Sequence, residues 1–281
     1  VRFVLIRDAG EFARRTDAFV AGRLECNVLA TVLISVLDGF RAGARPLFAY
    51  GLDDDGAVRF AALRTPPWQL LTSELSESGA AGSFIAHWLA ADPEVPGVNG
   101  LPATARAIAA AWAAQTGGTT RCWMREAMHA LDEVSDPPRP APGWLRLPDA
   151  GERRRLVEWM ASFARETGID AGDRAEAMVE MRLARGGLLV WDDGGPVSLV
   201  GVAPAVAGVV RIGPVYTPLE HRRRGYAGSA VAAASRRALT AGARRCMLFT
   251  DLANPTSNKI YASVGYRRIA DWEEHAFEPS D

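Results

Sequence analysis

The chain has 281 residues, room for two ordinary domains, and its 48% hydrophobic and 23% charged residues are the composition of a folded protein, not a disordered one. A formal net charge of -1 argues against nucleic acid or an anionic bilayer as partner, and no apolar run reaches the roughly 18 residues that a membrane-spanning helix needs. Cys26, Cys122 and Cys246 lack Cys-x-x-Cys spacing and His87, His129, His221 and His275 lack paired helical spacing, which argues against a disulfide framework and against a metal site; with no signal-like start, a cytoplasmic location is expected.

The elements follow in chain order. Residues 9–37 read as helical, and 47–51 with 58–63 as a hairpin around Asp53-Asp54-Asp55-Gly56. Residues 84–90, 102–116 and 121–128 read as helix, helix and strand. Four prolines between Val134 and Gly143 exclude a helix interior or a central strand, so this stretch is expected to be a semi-rigid linker between domains at 1–133 and 144–281. Beyond it come a short strand at 144–147, a helix opened by Pro148-Asp149 and running to about 167, and a second helix over 172–185. Strands at 187–191 and 197–205 are hinged by Asp192-Asp193-Gly194-Gly195, and 209–216 is the next strand.

The segment after that strand is the most informative in the chain. Val215-Tyr216-Thr217-Pro218 leads through Leu-Glu-His to Arg222-Arg223-Arg224-Gly225-Tyr226-Ala227-Gly228, where an Ala-rich helix opens. A strand, a basic glycine-containing turn and a helix N-terminus, with its unpaired amides and positive partial charge, form a cradle for a pyrophosphate. A strand at 245–250 and a helix with Asn254 as N-cap, Pro255 at its first position and Gly265 as its stop then lead to a last strand over 266–277.

Arg222 to Ala227 fits Arg/Gln-x-x-Gly-x-Gly/Ala, and Asn254-x-x-Ser257-x-x-x-Tyr261-x-x-x-Gly265-Tyr266 follows it about thirty residues on. In these two blocks the chain resembles the GNAT superfamily of N-acetyltransferases. The resemblance implies an α/β (α+β) fold with a mixed, mostly antiparallel sheet flanked by helices, in the order β-α-α-β-β-β-α-β-α-β over the second half. It implies acetyl-CoA as co-substrate, held by backbone groups of Val215, Tyr216 and Thr217, by the turn Arg222, Arg223, Arg224, Gly225, Tyr226, Ala227 and Gly228, and by Asn254 and Ser257. Gly213-Pro214 fits a bulge that would splay the strand and open a slot. Tyr261 is the implied general acid toward the thiolate. No carboxylate stands on the strand before the turn, so the general base is open; Glu176, Glu180 and Asp251 are candidates, and a water relay is the alternative. The first half repeats the hairpin after a helical stretch, which hints at a degenerate copy of the same fold, with an unrelated α/β domain capping the site as the alternative. It lacks the basic turn, reading Ser78-Gly79-Ala80-Ala81-Gly82 instead, and is expected to hold no cofactor. The function read from this is an N-acetyltransferase for a small-molecule amine, with a homodimer left open. A protein or peptide acetyltransferase and a non-catalytic acyl-CoA-binding regulatory module are the alternatives.

Overall fold

A computed structural model describes residues 1–40, 43–168 and 174–280. One order of elements occurs twice. The first pass runs β1 (Arg2–Ile6), α1 (Ala9–Ala21), α2 (Asn27–Leu37), β2 (Leu47–Leu52), β3 (Val58–Arg64), β4 (Leu70–Thr72), α3 (Ala81–Ala91), β5 (Gly97–Gly100), α4 (Pro102–Thr116) and β6 (Thr119–Leu131). The second runs β7 (Trp144–Arg146), α5 (Arg153–Thr167), α6 (Ala175–Ala184), β8 (Leu188–Asp192), β9 (Pro196–Val202), β10 (Val209–Tyr216), α7 (Tyr226–Thr240), β11 (Arg245–Asp251), α8 (Pro255–Val264) and β12 (Arg267–Glu278). Both are β-α-α-β-β-β-α-β-α-β. The expected start of α6 at residue 172 lies outside the described residues.

The two compact units are not the two halves of the sequence. One comprises Val1–Ala127 with Ala270–Asp281, the other Met128–Ile269. In the first unit β12, expected to close the second domain, pairs antiparallel with β5 from Glu273↔Gly100 to Ala276↔Gly97. Its Phe277 stacks on Trp112 with ring centroids 4.5 Å apart. The end of β6 neighbours β11 in the second unit, and Leu131 joins that core. Strand alternation tells which face of a strand is buried but not which strand it pairs with, so the exchange was not readable.

The first unit orders its strands β1-β2-β3-β4-β5-β12, with β4 and β5 parallel. Its core gathers Phe60, Phe84, Trp88 and Ile108; Phe60 and Phe84 meet edge-on at 4.8 Å. The long helical stretch at 9–37 is broken after Gly22 by a 3-10 turn at Leu24–Cys26. Asp8 caps α1 by accepting from the Glu11 amide at 2.7 Å.

The second unit orders its strands β7-β8-β9-β10-β11-β6, with β10 and β11 parallel. Both faces of this sheet are covered, and β8 shows it by alternation: Leu189 and Trp191 pack in the α7 core, Leu188 and Val190 in the α5/α6 core. On the α7 side small residues such as Ala230 and Ala234 let the helix lie close to the strands. The proline-rich stretch belongs to this unit. It is anchored by the Ser135 amide on Val264 O (2.8 Å), the Ala141 amide on Ser229 Oγ (2.8 Å) and Trp191 Nε1 on Pro142 O (2.8 Å). Proline cannot continue a ladder but packs well as a fixed strap, and here it crosses the start of α7.

Candidate active site

Two neighbouring features of the second unit build the site. The first is a slot. β10 and β11 pair in parallel at Val209↔Arg245, Val210↔Cys246 and Arg211↔Met247, and there the pairing ends, although β10 runs on to Tyr216 and β11 to Asp251. The cause is local. Between Ile212↔Val202 and Val215↔Val200 the register of β10 against β9 shifts at Gly213-Pro214. Gly213 takes a φ of 139°, and a Cβ on Gly201 of β9 would lie 2.4 Å from Gly213 O, so glycine is needed on both strands. Past the bulge β10 follows β9 alone, and among the described residues its other edge has no strand partner at residues 212–216.

The second feature is the start of α7. Arg223 has a φ of 65° and Gly225 a φ of 85°, an alternation that turns successive amides to one side. No side chain caps the helix, whose first internal bond is the Ser229 amide on Gly225 O at 3.0 Å. The amides of Tyr226, Ala227 and Gly228 therefore have no acceptor within the helix. A Cβ at Gly225 would lie 3.0 Å from Arg139 O of the strap, and one at Gly228 3.8 Å from Pro137 Cβ.

The side chains of the turn divide. Arg223 and Arg224 are exposed. Arg222 is engaged internally: its Nε donates to Thr217 O at 2.8 Å and its Nη2 to Glu166 at 2.5 Å, with the guanidinium 5.6 Å over the Tyr216 ring. Tyr216 donates its hydroxyl to the other oxygen of Glu166 at 3.0 Å. Burial, and then this bond, pushes the phenol above its ordinary pKa. Tyr216 O accepts from Ser198 Oγ at 2.9 Å, and Thr217 Oγ1 lies 2.9 Å from the same hydroxyl. Tyr226 is buried and donates to Asp193 of the β8–β9 hairpin at 2.5 Å, so its side chain ties the helix to that hairpin and only its amide faces the turn. Glu166, which organises the turn from α5, was not among the residues read from sequence. Nothing in one amphipathic helix marks which of its acids reaches a loop 56 residues away.

Asn254 caps α8 as expected, accepting from the Ser257 amide at 3.1 Å. Beside it Asn258 bonds Thr250 and, through Nδ2, Asp251 O at 3.2 Å, which fixes the end of β11 to α8. Tyr261 is half-buried against the α7 core, 6.2 Å between ring centroids from Tyr266, and burial pushes its phenol up to about 12. Of the candidates for a base, Glu176 and Glu180 share Arg153 on the surface, and Asp251 closes a turn by accepting from the Ala253 amide at 2.8 Å. Each of these three carboxylates is thus engaged in a structural contact. Among the described residues one group has metal-ligand proximity, Cys122, Glu273 and His275 in the first unit. Its Glu273 is already held in a two-point bond by Arg106 at 2.6 and 2.8 Å, which spends the charge that a cation would need.

Residues 153–266 match the model of the acetyltransferase (GNAT) family. No curated protein matches the chain. Among solved structures, a tandem GNAT protein from the clavulanic acid biosynthesis pathway is 15% identical over 100% of this chain and 99% of its own, with a TM-score of 0.63. A GCN5-related N-acetyltransferase from Sphaerobacter thermophilus is 17% identical over 98% and 95%, TM-score 0.61. A Drosophila protein is 12% identical over 99% of each chain, TM-score 0.68. At such identities the likeness is one of fold, and because it covers the whole chain it extends to both passes of the repeat. The chain carries a GNAT acetyltransferase family domain at residues 153–266, in a GNAT-like fold that runs through its full length.

Proposed function

We propose that the second unit is the site of an acetyl-CoA-dependent N-acetyltransferase acting on a small-molecule primary amine. The observation that carries it is the parallel pairing of β10 and β11 ending at Arg211↔Met247 beside the uncapped start of α7. The family and fold support acyl-CoA-dependent acetyl transfer in general. The amides from Arg223 to Gly228 hold the pyrophosphate and the exposed Arg223 and Arg224 add charge-assisted contacts. Arg222 acts one step back, holding the turn in shape through Thr217 and Glu166. The free edge of β10 at Val215, Tyr216 and Thr217 takes the pantetheine amides, and Asn254 and Ser257 border the far side. When bound, acetyl-CoA supplies the activated acetyl group. Tyr261 remains protonated at neutral pH and offers its hydroxyl to the sulfur side of the slot. A thiolate leaving into the same apolar surroundings is destabilised by burial as the phenolate is, which favours a hydrogen bond between them.

The test is calorimetric titration with acetyl-CoA followed by an acetyl-CoA consumption screen against small amines, amino acids and peptides. One site per chain and consumption with small amines are expected. Consumption with peptides alone would move the acceptor to proteins. Binding without consumption across the screen would favour the regulatory module, and no binding would overturn the assignment.

A further inference from the structure

The proline-rich stretch reads as a linker in the sequence, and in the structure it borders the phosphate turn. Residues 134–143 lie outside the stretch that matches the family, 153–266, so that match says nothing of them. They form a strap pinned along its length. Val264 O holds the Ser135 amide, Arg236 Nη2 donates to Asp136 at 2.7 Å, Ser229 Oγ holds the Ala141 amide, and Trp191 Nε1 holds Pro142 O. Pro138 and Pro140 enclose Arg139: the ring of Pro138 fixes the backbone before it, and Pro140 confines Arg139 itself to an extended conformation. The carbonyl oxygen of Arg139 is 3.0 Å from where a Cβ on Gly225 would stand, and Ala141 Cβ is 3.6 Å from the same point. Arg139 thus flanks the residue from which the uncapped amides of α7 begin.

Its charge has no use within the fold. The side chain is exposed, and among the described residues no hydrogen bond or ion pair engages it. Acids of the same segment are taken by others, Asp132 by Arg245 at 2.6 and 2.8 Å and Asp136 by Arg236. An arginine on a loose linker would have to be ordered by whatever it binds. On a strap whose backbone is ordered by folding, much of that entropy is already spent. With the exposed Arg223 and Arg224 it brings a third arginine to the start of α7, where the positive end of the helix adds to a field that favours an anion.

We propose that Arg139 of the strap binds a phosphate group of the acyl-CoA, so that the stretch between the two passes of the fold is a wall of the cofactor site. The proposal rests on the acetyltransferase reading. An acyl-CoA carries a pyrophosphate and a ribose 3′-phosphate, and the planar fork of arginine matches the oxygens of either in two-point geometry.

The test is calorimetric titration of the full chain with CoA and with dephospho-CoA, which lacks the 3′-phosphate. The parent is compared with Arg139→Met, Arg139→Lys and Arg154→Met. Arg154 on α5, its side chain 92% exposed, controls for the loss of one positive charge away from the turn. Arg139→Met weakens CoA about tenfold, the lower end of what a hydrogen bond between charged groups is worth. Arg139→Lys keeps part of that affinity, and Arg154→Met keeps all of it. The ligand-free thermal midpoint of Arg139→Met stays at the parent's, since the exposed side chain holds nothing in place. A loss seen with CoA but not with dephospho-CoA assigns the 3′-phosphate; an equal loss with both assigns the pyrophosphate. CoA affinity that is unchanged in Arg139→Met, or that falls as far in Arg154→Met, overturns the proposal and leaves the acetyltransferase reading standing. A parent that binds neither ligand overturns that reading, and the proposal with it.

Discussion

The two passes through one fold differ most at the parallel pair. In the second unit a bulge separates β10 from β11 and leaves an edge open. In the first unit β4 and β5 pair at Leu70↔Val98 and Leu71↔Asn99, and the residues that follow are stitched together. Thr72 Oγ1 donates to Asn99 O at 3.2 Å, the Ser73 amide to Ala61 O at 2.8 Å, and the Leu75 amide to Thr104 Oγ1 at 2.8 Å. Thr72 and Thr104 are each 1% exposed. The segment before α3 carries Glu74 and Glu77 where the segment before α7 carries Arg222, Arg223 and Arg224. The difference teaches that the repeat supplies a place for a slot, and that a few residues decide whether it opens and what charge it presents.

If charge at the turn distinguishes the units, giving the second unit the sign of the first should have the largest effect. Arg223 and Arg224 are exposed, so Arg223→Glu with Arg224→Glu leaves the fold intact. Acetyl-CoA affinity by calorimetry should fall by at least about a hundredfold, since contacts to charged groups are worth about 1.5–3 kcal/mol each. Gly225→Val acts through the backbone instead: it forces a branched residue to a φ of 85° with its Cβ 3.0 Å from Arg139 O. It should lose both acetyl-CoA binding and about 1–3 kcal/mol of stability. Unchanged affinity in the double variant would place the pyrophosphate elsewhere.

Tyr261 has no equivalent read in the first unit, and its removal separates chemistry from binding. Tyr261→Phe keeps the ring against the α7 core and deletes the hydroxyl. Turnover should drop by about a hundredfold with acetyl-CoA affinity unchanged, and kcat and kcat/KM should fall together. Because burial pushes this phenol up to about 12, the parent should show no loss of rate from its ionisation up to pH 9. A loss confined to acetyl-CoA affinity would make Tyr261 a packing residue.

What was legible in the sequence follows the same division. The second unit announced itself because its site is built from backbone conformation, which glycine and proline betray: Gly213-Pro214 foretold the bulge, Gly225 the helix start, and Asn254-Pro255 the cap of α8. The first unit was harder because β4 has three residues and β5 four, two of them glycine, too few for a periodic pattern. β1 and the exchange of β6 and β12 were missed for want of any local signal of a partner. Glu166 and the place of the strap beside Gly225 depend on groups meeting across the fold, which spacing along the chain cannot express.

Opening the stitched pair tests whether hydrogen bonds alone keep the first unit closed. Thr72→Val preserves shape and strands the Asn99 carbonyl, at a cost of about 1–3 kcal/mol in stability by denaturant unfolding. Acetyl-CoA stoichiometry should stay at one per chain, since Glu74 and Glu77 remain before α3. A second site appearing in this variant would show that closure, not charge, separates the units.

The smallest effect concerns two neighbours on β12, Glu273 and Glu274, which face opposite sides of the first unit and titrate in opposite directions. Arg106 above all, with His275, holds Glu273 down to about 2, so its stabilisation is present above the ordinary carboxylate range and is lost as pH falls from about 4.5 toward 2. Burial and then the charge of Glu126 push Glu274 up to about 8. With its amide oriented to satisfy both neighbours, Gln69 donates to Glu274 at 3.1 Å and accepts from Trp123 Nε1 at 2.9 Å. A raised carboxyl pKa means that the folded state holds the proton longer than the unfolded chain, so Glu274 costs stability as pH rises from about 4.5 through 8. Glu274→Gln, which resembles the protonated acid, should match the parent at pH 4 and melt about 2–4 °C higher at pH 9, the shift expected of about 1 kcal/mol in a chain of this size. Glu273→Gln should do the reverse, melting lower at pH 7 and converging with the parent as pH falls to about 2. Melting curves of the two variants that run parallel to the parent across pH would mean that neither carboxyl is perturbed. The first unit would then owe its shape to its apolar core alone, without the ion pair that joins β12 to α4.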